Sequence, residues 1–464
     1  MHRRTICQLG AATFGSTLMV PFGASAQSVK TRKDVSSLAP NATDLLLYVQ
    51  AVQAMKELSN SNATDPRGWR RQAQTHQALC PHGNWWFLPW HRAYISYFEQ
   101  CCRDLVGPEF VLPYWDWTNN PNIPGPFWSR ILNHQRRIGP NDGIPNEAAG
   151  RQRINELMAS SSLTAIFSEA TTSDDQRESA GWGDLESGPH NNVHIRIGGD
   201  MGGMLSPLDP IFWLHHANLD RLWESWSRGR GAGRLPSSPV WQNHALGSFY
   251  DPATRTNVSP PAREMGNAAK WGAVYDRYEA SESLAAANLP KIEFLGGPGS
   301  IQLNQVARAE MGFPSAGVRV GKTMSASLPA GVELSNLLSR VATASARLDV
   351  PRPQTQLRIN GVRPPTNQTV AMRIFLNCRN PSVNTPTDDP SFVQTVSFFG
   401  SHHGGLYRFS LNAEQTVRRL VAAGQYAPGQ PVEVTLIAID TANPTKLLPN
   451  AVVKAEQAVL VAAE

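Results

Sequence analysis

Half of the twelve histidines in this 464-residue chain lie in two short sequence windows flanked by apolar and aromatic residues. They form two triplets: His76, His82 and His91, then His190, His194 and one of the neighbours His215 and His216. Neutral imidazole is the commonest metal ligand and suits zinc, copper, iron and nickel. A single histidine beside apolar residues is more often a core residue than a ligand, but two triplets predict a pair of metal ions. Copper is the best match for two sites of three imidazoles each.

The spacing of the second triplet predicts a short helix. His190 and His194 are four residues apart, which places both rings on one face of a helix. Pro189 suits the start of that helix, and Gly198 with Gly199 suits its end.

Three longer helices are expected to carry the remaining histidines. His91 lies near the front of an amphipathic run in which aromatic residues recur at helical spacing. His216 lies within a second such run, and His76 lies near the end of a helix that we expect to begin at Thr64 or Asp65. Four helices with inward-pointing histidines are a common way to build a dinuclear site.

Four stretches of the chain together resemble type 3 copper proteins of the tyrosinase, catechol oxidase and hemocyanin group. They are CPHGNWWFLPWHR from Cys80, LPYWDW from Leu112, HNNVH from His190 and DPIFWLHHANLDRLW from Asp209. The resemblance implies an α-helical catalytic domain, in which a four-helix bundle surrounds a dinuclear copper site.

The resemblance also implies the ligands of the two copper ions. One ion (CuA) would be held by His76, His82 and His91, and the other (CuB) by His190, His194 and His216. In the family pattern the second histidine of the adjacent pair is the ligand, which selects His216 over His215. His76 departs from the pattern, because in many relatives the first CuA histidine lies well upstream of the second. Here it precedes His82 by only six residues, but the only earlier histidine is His2 in the predicted leader.

Cys80 stands two residues before His82, in the C-x-H arrangement found in several members of this family. In those members the cysteine sulfur is joined covalently to a carbon of the histidine ring, and such a thioether would fix the orientation of the ring. The alternative is that Cys80 is a small buried hydrophobe beside the site. The other four cysteines show no spacing typical of a disulfide framework or a zinc knuckle.

Two copper ions with three neutral ligands each would bind dioxygen and hold a substrate oxygen beside it. A phenol must lose its proton to bind copper well. The resemblance implies that Glu186 and Asn191 order a water molecule that takes this proton. The alternative is that Glu186 only caps the short helix. The presence of both residues favours a monophenol-hydroxylating tyrosinase over a catechol oxidase.

Further residues of these motifs would support the site. Asp116 and Asp220 are candidates to orient the imidazoles, or they are structural carboxylates that bind backbone amides or an arginine. Phe212 is expected to pack against the ligand rings near the substrate entrance. In relatives a bulky loop residue hangs over CuA, whereas here Gly203 or Met204 takes that place. The resemblance therefore implies an open mouth that admits bulky or conjugated phenols.

Residues 1–26 have the features of an export signal. Arg3 and Arg4 precede an apolar run that is too short to span a bilayer, and small residues at 24–26 form a cleavage signal. The paired arginines resemble a twin-arginine leader, and the alternative is an ordinary secretory leader. We therefore predict export to the periplasm or the exterior. No later segment predicts membrane insertion, and the net charge of +5 is spread without basic runs, which argues against nucleic-acid partners.

The length of the chain predicts more than one domain. Residues 27–283 form the predicted dicopper catalytic domain, and residues 284–340, rich in Ala, Gly and Pro, are interpreted as a linker. Residues 341–464 contain short β-rich runs separated by turn residues, which predict a β-sandwich.

The order of the β-rich runs resembles the C-terminal domain of plant-type polyphenol oxidases, which shields the copper site in the latent form. We therefore expect an aromatic residue of this domain, which the sequence does not identify, to cover the site. The alternative is a stabilising or oligomerising domain that does not contact the site.

The sequence thus predicts a copper-dependent tyrosinase or polyphenol oxidase that acts on small phenols with dioxygen. A catechol oxidase or o-aminophenol oxidase without monophenolase activity is the nearest alternative. A hemocyanin-like dioxygen carrier would use the same histidines. A dinuclear zinc hydrolase is disfavoured, because such sites usually mix histidine with carboxylates. The sequence does not predict the oligomeric state.

Overall fold

The computed structural model describes residues 29–228, 230, 234–280, 306–343, 354–366, 369–400, 406–427 and 429–463. The predicted export signal lies outside the described residues, and so does the first part of the predicted linker. Among the described residues, no helix combines the length and the apolar character needed to cross a bilayer.

The N-terminal part of the chain is mainly helical. Its helices are α1 (Thr43–Ser61), α2 (Trp69–Leu79), α3 (Phe87–Val106), α4 (Asn146–Ala149), α5 (Arg151–Ala159), α6 (Leu163–Phe167), α7 (Asn191–Ile197), α8 (Ile211–Ser227) and α9 (Pro239–Asn243). A π-helical turn, Glu186–His190, runs directly into α7. The elements α2, α3, α7 with its π turn, and α8 carry the histidines singled out above except His82, which lies in the loop between α2 and α3. The predicted helical domain is confirmed.

Two of the predicted helix starts are displaced in the structure. Helix α2 begins at Trp69 and not at Thr64 or Asp65, because the Asp65 carboxylate accepts the backbone N–H of Arg67 and pairs with its guanidinium in the preceding turn. Pro189 lies inside the π turn and not at the start of a helix.

The C-terminal part forms a β-sandwich. The strands of the chain are β1 (Lys30–Arg32), β2 (Phe249–Asp251), β3 (Thr256–Val258), β4 (Ala273–Tyr275), β5 (Val306–Gly312), β6 (Val318–Val320), β7 (Thr323–Leu328), β8 (Gln354–Val362), β9 (Val370–Leu376), β10 (Phe392–Ser397), β11 (Tyr407–Asn412), β12 (Val432–Asp440), β13 (Leu448–Val453) and β14 (Gln457–Ala463). One antiparallel sheet has the order β10-β9-β12-β7 and the other has the order β11-β8-β14-β5. Side chains of both sheets share one core, which confirms the predicted β-sandwich.

The sandwich begins earlier than the predicted boundary at residue 341. Residues 306–340, placed in the linker by composition, contain β5, β6, β7 and most of helix α10 (Val332–Thr343). Strand β5 pairs with β14, β7 pairs with β12, and α10 packs against helix α11 (Glu414–Ala422). Strands β5 and β7 each contain one β-branched residue and no aromatic residue, so their strand signal in the sequence is weak.

Two large hydrophobic cores correspond to the helical part and the sandwich. Trp182 is the exception to this division, because it precedes the sandwich in the chain by more than a hundred residues and yet packs in the core of the sandwich. The helical part and the sandwich therefore interlock at this residue.

Candidate metal centre

The first histidine triplet forms a triangle of buried rings. His76 comes from the end of α2, His82 from the loop that follows it, and His91 from the first turns of α3. The ring centres of His76 and His82 are 5.7 Å apart, and those of His91 are 5.6 Å from each of the other two. The short distance between His76 and His82 along the chain is therefore compatible with one shared site.

The second triplet forms a similar triangle. The ring centres of His190 and His194 are 4.6 Å apart, and His216 of α8 lies 5.2 Å from the first and 5.5 Å from the second. The Nε2 atoms of His194 and His216 are 3.3 Å apart. Two imidazole nitrogens bound to one tetrahedral ion at about 2.0–2.1 Å would be separated by about the same distance.

The two triangles face each other. His91 and His216 stack with their ring centres 4.4 Å apart and their planes within 9°. On the other side, His82 and His190 lie 5.5 Å apart. The structure thus brings all six histidines singled out by the sequence into one buried cluster.

Hydrogen bonds fix the tautomer of four of these imidazoles. Each donates from Nδ1–H to an oxygen: His76 to Met204 O (2.7 Å), His91 to Phe87 O (2.8 Å), His194 to Met201 O (2.7 Å) and His190 to Asn191 Oδ1 (2.7 Å). Because these carbonyl oxygens can only accept, Nδ1 carries the proton and Nε2 keeps a lone pair for a metal ion. Within the described part of the chain, Nε2 of His91 and of His190 has no hydrogen-bond partner.

Burial keeps the imidazoles in the neutral form that binds metals. Desolvation, reinforced by the neighbouring histidines, holds the pKa values of His91, His190 and His216 well below their ordinary value. Burial also lowers the pKa of His194 to about 3. Clustered, neutral and inward-facing nitrogens fit a pair of metal ions and have no other evident purpose in a protein core.

The structure distinguishes the two adjacent histidines of α8. Trp117 donates its indole N–H to Nδ1 of His215 over 3.1 Å. Since an indole can only donate, Nδ1 of His215 must accept, and the proton of the neutral ring lies on Nε2. His215 therefore lacks the Nε2 lone pair that a metal ion needs, whereas Nε2 of His216 faces that of His194.

Cys80 is buried beside the His82 ring, with its sulfur 3.6 Å from Nδ1 of that ring. Burial raises the pKa of the Cys80 thiol well above its ordinary value. The contact brings the sulfur to the edge of the imidazole, and the thioether stays a prediction.

Glu186 lies between the two halves of the cluster. Its carboxylate accepts the backbone N–H of Gly83 (2.7 Å) and the hydroxyl of Ser168 (2.6 Å). Burial raises the pKa of Glu186 to about 8. The carboxylate thus reaches from the π turn before His190 to the loop after His82, which is a different role from the helix cap considered above.

Asn191 is held at both ends of its amide. Its oxygen accepts from His190, and its Nδ2 donates to the carbonyl oxygen of Ser397 in β10 over 3.2 Å. A residue of the sandwich therefore occupies the donor side of this amide.

The remaining candidates fall into two groups. Asp220 accepts from the guanidinium of Arg92, and Asp116 pairs with Arg221 at 3.4 Å, so both bind arginines. Phe212, in contrast, packs its ring 4.2 Å from that of His216. Of these three residues, Phe212 alone has a recorded contact with the histidine cluster, among the residues that the structure describes.

The loop between α7 and α8 contributes backbone carbonyl oxygens to the site, which its side-chain types do not indicate. The carbonyl oxygens of Met201 and Met204 each anchor an imidazole, one from each triplet. Met204, with Gly203 before it, is partly buried at this position. Backbone acceptors leave no signature in the residue types, so spacing could not have identified them.

The sandwich covers the cluster with an aromatic ring. Phe399, which is 2% exposed, stacks on His194 with ring centres 4.1 Å apart and planes within 20°. The Phe399 ring also makes edge-to-face contacts with His82 and His190, with ring centres 5.3 Å and 5.4 Å away. The next residue, Gly400, has a φ of +82°, and a Cβ there would lie 2.6 Å from the His82 ring. Among the residues that the structure describes, Phe399 is therefore the phenylalanine of the sandwich that packs against the histidine rings.

Comparison with known proteins agrees with these features. The family model for the common central domain of tyrosinase matches residues 49–144 and 128–229. The chain is 26% identical over 458 residues to tyrosinase HcTyr1 from Hahella sp. (strain CCB-MM4), across 84% of this chain and 92% of that protein. It is 29% identical over 272 residues to the chloroplastic catechol oxidase B of Solanum tuberosum, across 49% of this chain and 46% of that protein.

The fold is similar to that of latent apple tyrosinase, with a TM-score of 0.68 at 19% identity across 94% of this chain and 98% of that one. The likeness extends over the helical part and the sandwich alike. The sequence matches include the stretches that carry both histidine triplets, and the cofactor of the site is a pair of copper ions. The helical part of this chain therefore carries the central domain that is common to tyrosinases.

Proposed function

We propose that this protein is a copper-dependent phenol oxidase that hydroxylates monophenols to o-diphenols and oxidises o-diphenols to o-quinones with dioxygen. The observation that carries the proposal is the pair of facing imidazole triangles, whose nitrogens are neutral, buried and turned toward each other. Copper ions at these positions would supply dioxygen activation and Lewis-acid binding of the phenolic oxygen.

The ligands follow from the hydrogen bonds of the histidines. CuA would be held by His76, His82 and His91, and CuB by His190, His194 and His216. The Nδ1 anchors support this assignment because they direct Nε2 toward the ions. A thioether between Cys80 and His82, detectable as the loss of two hydrogens in the intact mass, would fix the orientation of the His82 ring.

Glu186 and Asn191 would remove the phenolic proton. A carboxylate whose pKa is raised to about 8 is basic enough to accept this proton through an ordered water, and Asn191 would orient that water. This assignment supports monophenol hydroxylation. Catechol oxidase or o-aminophenol oxidase activity without it remains the alternative.

The intact chain would be latent. Phe399 occupies the face of His194 on which a flat phenol ring would stack, and the sandwich shields the whole cluster. Removal or undocking of the sandwich would expose the site. The proposed catalytic domain covers residues 27–283, and the proposed shielding domain follows the linker. We also propose that the N-terminal signal directs export of the protein.

The entrance would be shaped by the loop that contains Gly203 and Met204. Its carbonyl contact with His76 does not depend on the Met204 side chain, so Met204→Phe keeps the anchor and adds bulk. In protein freed of the sandwich, we expect this variant to disfavour bulky phenols against small ones by about tenfold, or roughly 1.4 kcal/mol. If the preference between bulky and small phenols is unchanged in steady-state assays, the loop does not line the entrance.

The decisive experiment combines metal analysis with oxygen uptake. Copper-loaded protein, with and without the sandwich, is assayed with tyrosine, catechol and an o-aminophenol. Uptake with all three supports the proposal, whereas uptake without tyrosine turnover indicates a catechol or o-aminophenol oxidase. Reversible oxygen binding without turnover would indicate a carrier of the hemocyanin kind, and zinc in place of copper would contradict every oxidase assignment.

A further inference from the structure

The segment Ser179–Trp182 lies between the sandwich and the loop that carries His82. Trp182 makes a parallel β-bridge with Phe409 at the edge of the second sheet. The bridge has two backbone hydrogen bonds, from Trp182 N–H to Arg408 O (2.8 Å) and from Ser410 N–H to Trp182 O (2.9 Å). A piece of the catalytic part thus extends a sheet of the sandwich, in the manner of β-augmentation.

The side chain of Trp182 enters the core of the sandwich. It is 1% exposed, and its ring centre is 4.6 Å from that of Tyr407 and 6.3 Å from that of Phe409. Within the described part of the chain, Trp182 is the one member of this core that precedes residue 306. A buried tryptophan seated in a partner's core is the typical form of an interface hot spot.

The same segment binds the histidine loop on its other side. The backbone N–H groups of Ala180 and Gly181 both donate to Gly83 O at 2.8 Å, and the Ser179 hydroxyl donates to His82 O at 3.1 Å. Gly83 has a φ of +68°, and a Cβ there would lie 2.7 Å from the Trp182 ring. The glycine is therefore required both by the backbone conformation and by the tryptophan.

The other contacts across this boundary are mainly polar and, over the described ranges, place no side chain of the catalytic part in the core of the sandwich. The buried Asn192 amide donates to Thr395 O over 2.7 Å, and Glu147 pairs with Arg373 at 2.7 Å. Glu169 pairs with Arg408 at 3.3 Å and with Arg358 at 3.1 Å, but these arginine side chains are 50% and 27% exposed. Ion pairs that face solvent contribute little and are screened by salt. Phe399 contacts the imidazoles but is not part of either large core.

We propose that Trp182 is the anchor of the sandwich on the catalytic part, so that cleavage of the connecting chain alone does not release the shield. Activation would then require undocking at Trp182, with or without proteolysis. This inference rests on the latency proposed above, but the anchoring itself is measurable without any enzyme assay.

The test uses full-length protein with a specific protease site introduced between Glu279 and Val306. After cleavage, the two pieces of copper-loaded protein are followed by gel filtration at decreasing concentration in 0.15 M salt, roughly physiological ionic strength. We expect the wild-type pieces to remain together and inactive toward catechol. Trp182→Ala should weaken their association by about thirtyfold or more, which corresponds to a hot-spot residue.

Two further variants make the outcome specific. Trp271→Ala removes a tryptophan of the catalytic part whose indole N–H donates to Glu264 O and which is not in the sandwich core, so the pieces should stay together. Tyr407→Ala removes the ring opposite Trp182 from the sandwich side and should loosen the pieces even if Trp182→Ala fails to fold.

The outcomes separate the two proposals. If cleaved wild-type protein falls apart by itself, or if both the Trp182 and the Tyr407 variants stay as tightly associated as wild type, the anchor is overturned. If the variants release the sandwich but no phenol oxidation appears, the anchor stands and the proposed oxidase function fails.

Discussion

Phe399 and His194 come from parts of the chain more than two hundred residues apart, and their rings stack with centres 4.1 Å apart. The contact places the sandwich over the copper site through a single aromatic side chain. The neighbouring Phe398 points elsewhere, since its ring contacts are with Tyr407 and Phe409 inside the sandwich. Two adjacent phenylalanines of the same strand end thus serve different purposes.

This difference gives a matched pair of variants. Phe399→Ala in the uncleaved chain should uncover His194 and raise catechol oxidation by about tenfold or more, because the shield then leaves room for a phenol ring. Phe398→Ala should destabilise the sandwich without opening the cluster directly, and by less than the roughly 3–5 kcal/mol of a fully buried phenylalanine, because Phe398 is only partly buried. Initial rates at a temperature where both variants are folded check the prediction. Equal activation by the two variants would indicate general loosening of the shield.

The adjacent histidines of α8 provide a second matched pair. His216→Gln removes a proposed ligand, and we expect the copper content to fall from two ions to about one per chain. His215→Gln leaves both ions in place, because His215 accepts from Trp117 and offers no Nε2 lone pair. Metal analysis after equilibration with excess copper distinguishes the two. Loss of copper from the His215 variant alone would reverse the assignment.

The sequence predicted the parts of the site whose chemistry lies in side-chain types. Spacing and motif placed all six histidines, and the β-rich runs predicted strands β8 to β12. The strands β5, β7 and β14 escaped, because alanine and other small residues give little local preference for a strand. Their position is decided by the pairing partners, which lie far away in the chain.

The contacts between distant segments could not be predicted from the sequence for a different reason. The anchors of His76 and His194 are backbone carbonyls, which every residue type possesses. The packing of Trp182 and of Phe399 depends on the interface between two domains. The hydrophobic periodicity of either segment does not predict which residues form that interface. The sequence therefore predicted the clustered histidines better than the residues that hold or cover them.

Glu186 provides a test of the proposed proton acceptor. Glu186→Gln keeps an acceptor for the Gly83 N–H and places an amide near Ser168, so the local structure should persist. Loss of the base should lower monophenol hydroxylation by about 100-fold, at the lower end of what general bases contribute. The assay uses protein freed of the sandwich, and the copper content serves as the control.

The same residue predicts a pH profile. Burial raises the pKa of Glu186 to about 8, so the carboxylate form that can accept a proton becomes dominant only as the pH rises toward that value. Bound copper ions would lower this pKa, so monophenol hydroxylation by wild type should increase with pH over a range that ends at or below about 8. In the Glu186→Gln variant the hydroxylation rate should not rise with pH over this range. A rise that persists in the variant would be caused by another titrating group.

The buried imidazoles also predict acid sensitivity of the copper-free protein. In the folded state burial lowers the pKa of His194 to about 3, whereas in the unfolded chain it returns to about 6.5. Above 6.5 both states are neutral and the stability is at its full value. As the pH falls below 6.5, the unfolded chain takes up a proton that the native protein does not bind until about 3. At pH 5 this linkage lowers the free energy of unfolding by about 2 kcal/mol for His194 alone.

His215 packs against the rings of His190, His194 and His216 but is not itself a proposed ligand, so its substitution tests one such proton while all six proposed ligands stay in place. Burial also holds its pKa well below the ordinary value, so it adds to the same slope of stability against pH. In His215→Gln the dependence of stability on pH below about 6.5 should be shallower than in wild type, because one group that is protonated only in the unfolded chain has been removed. Urea unfolding of copper-free wild type and variant across this range measures the difference. Equal slopes would mean that His215 is protonated in the native state, and its proposed hydrogen bond with Trp117 would then have to be abandoned, because an imidazolium cannot accept from an indole.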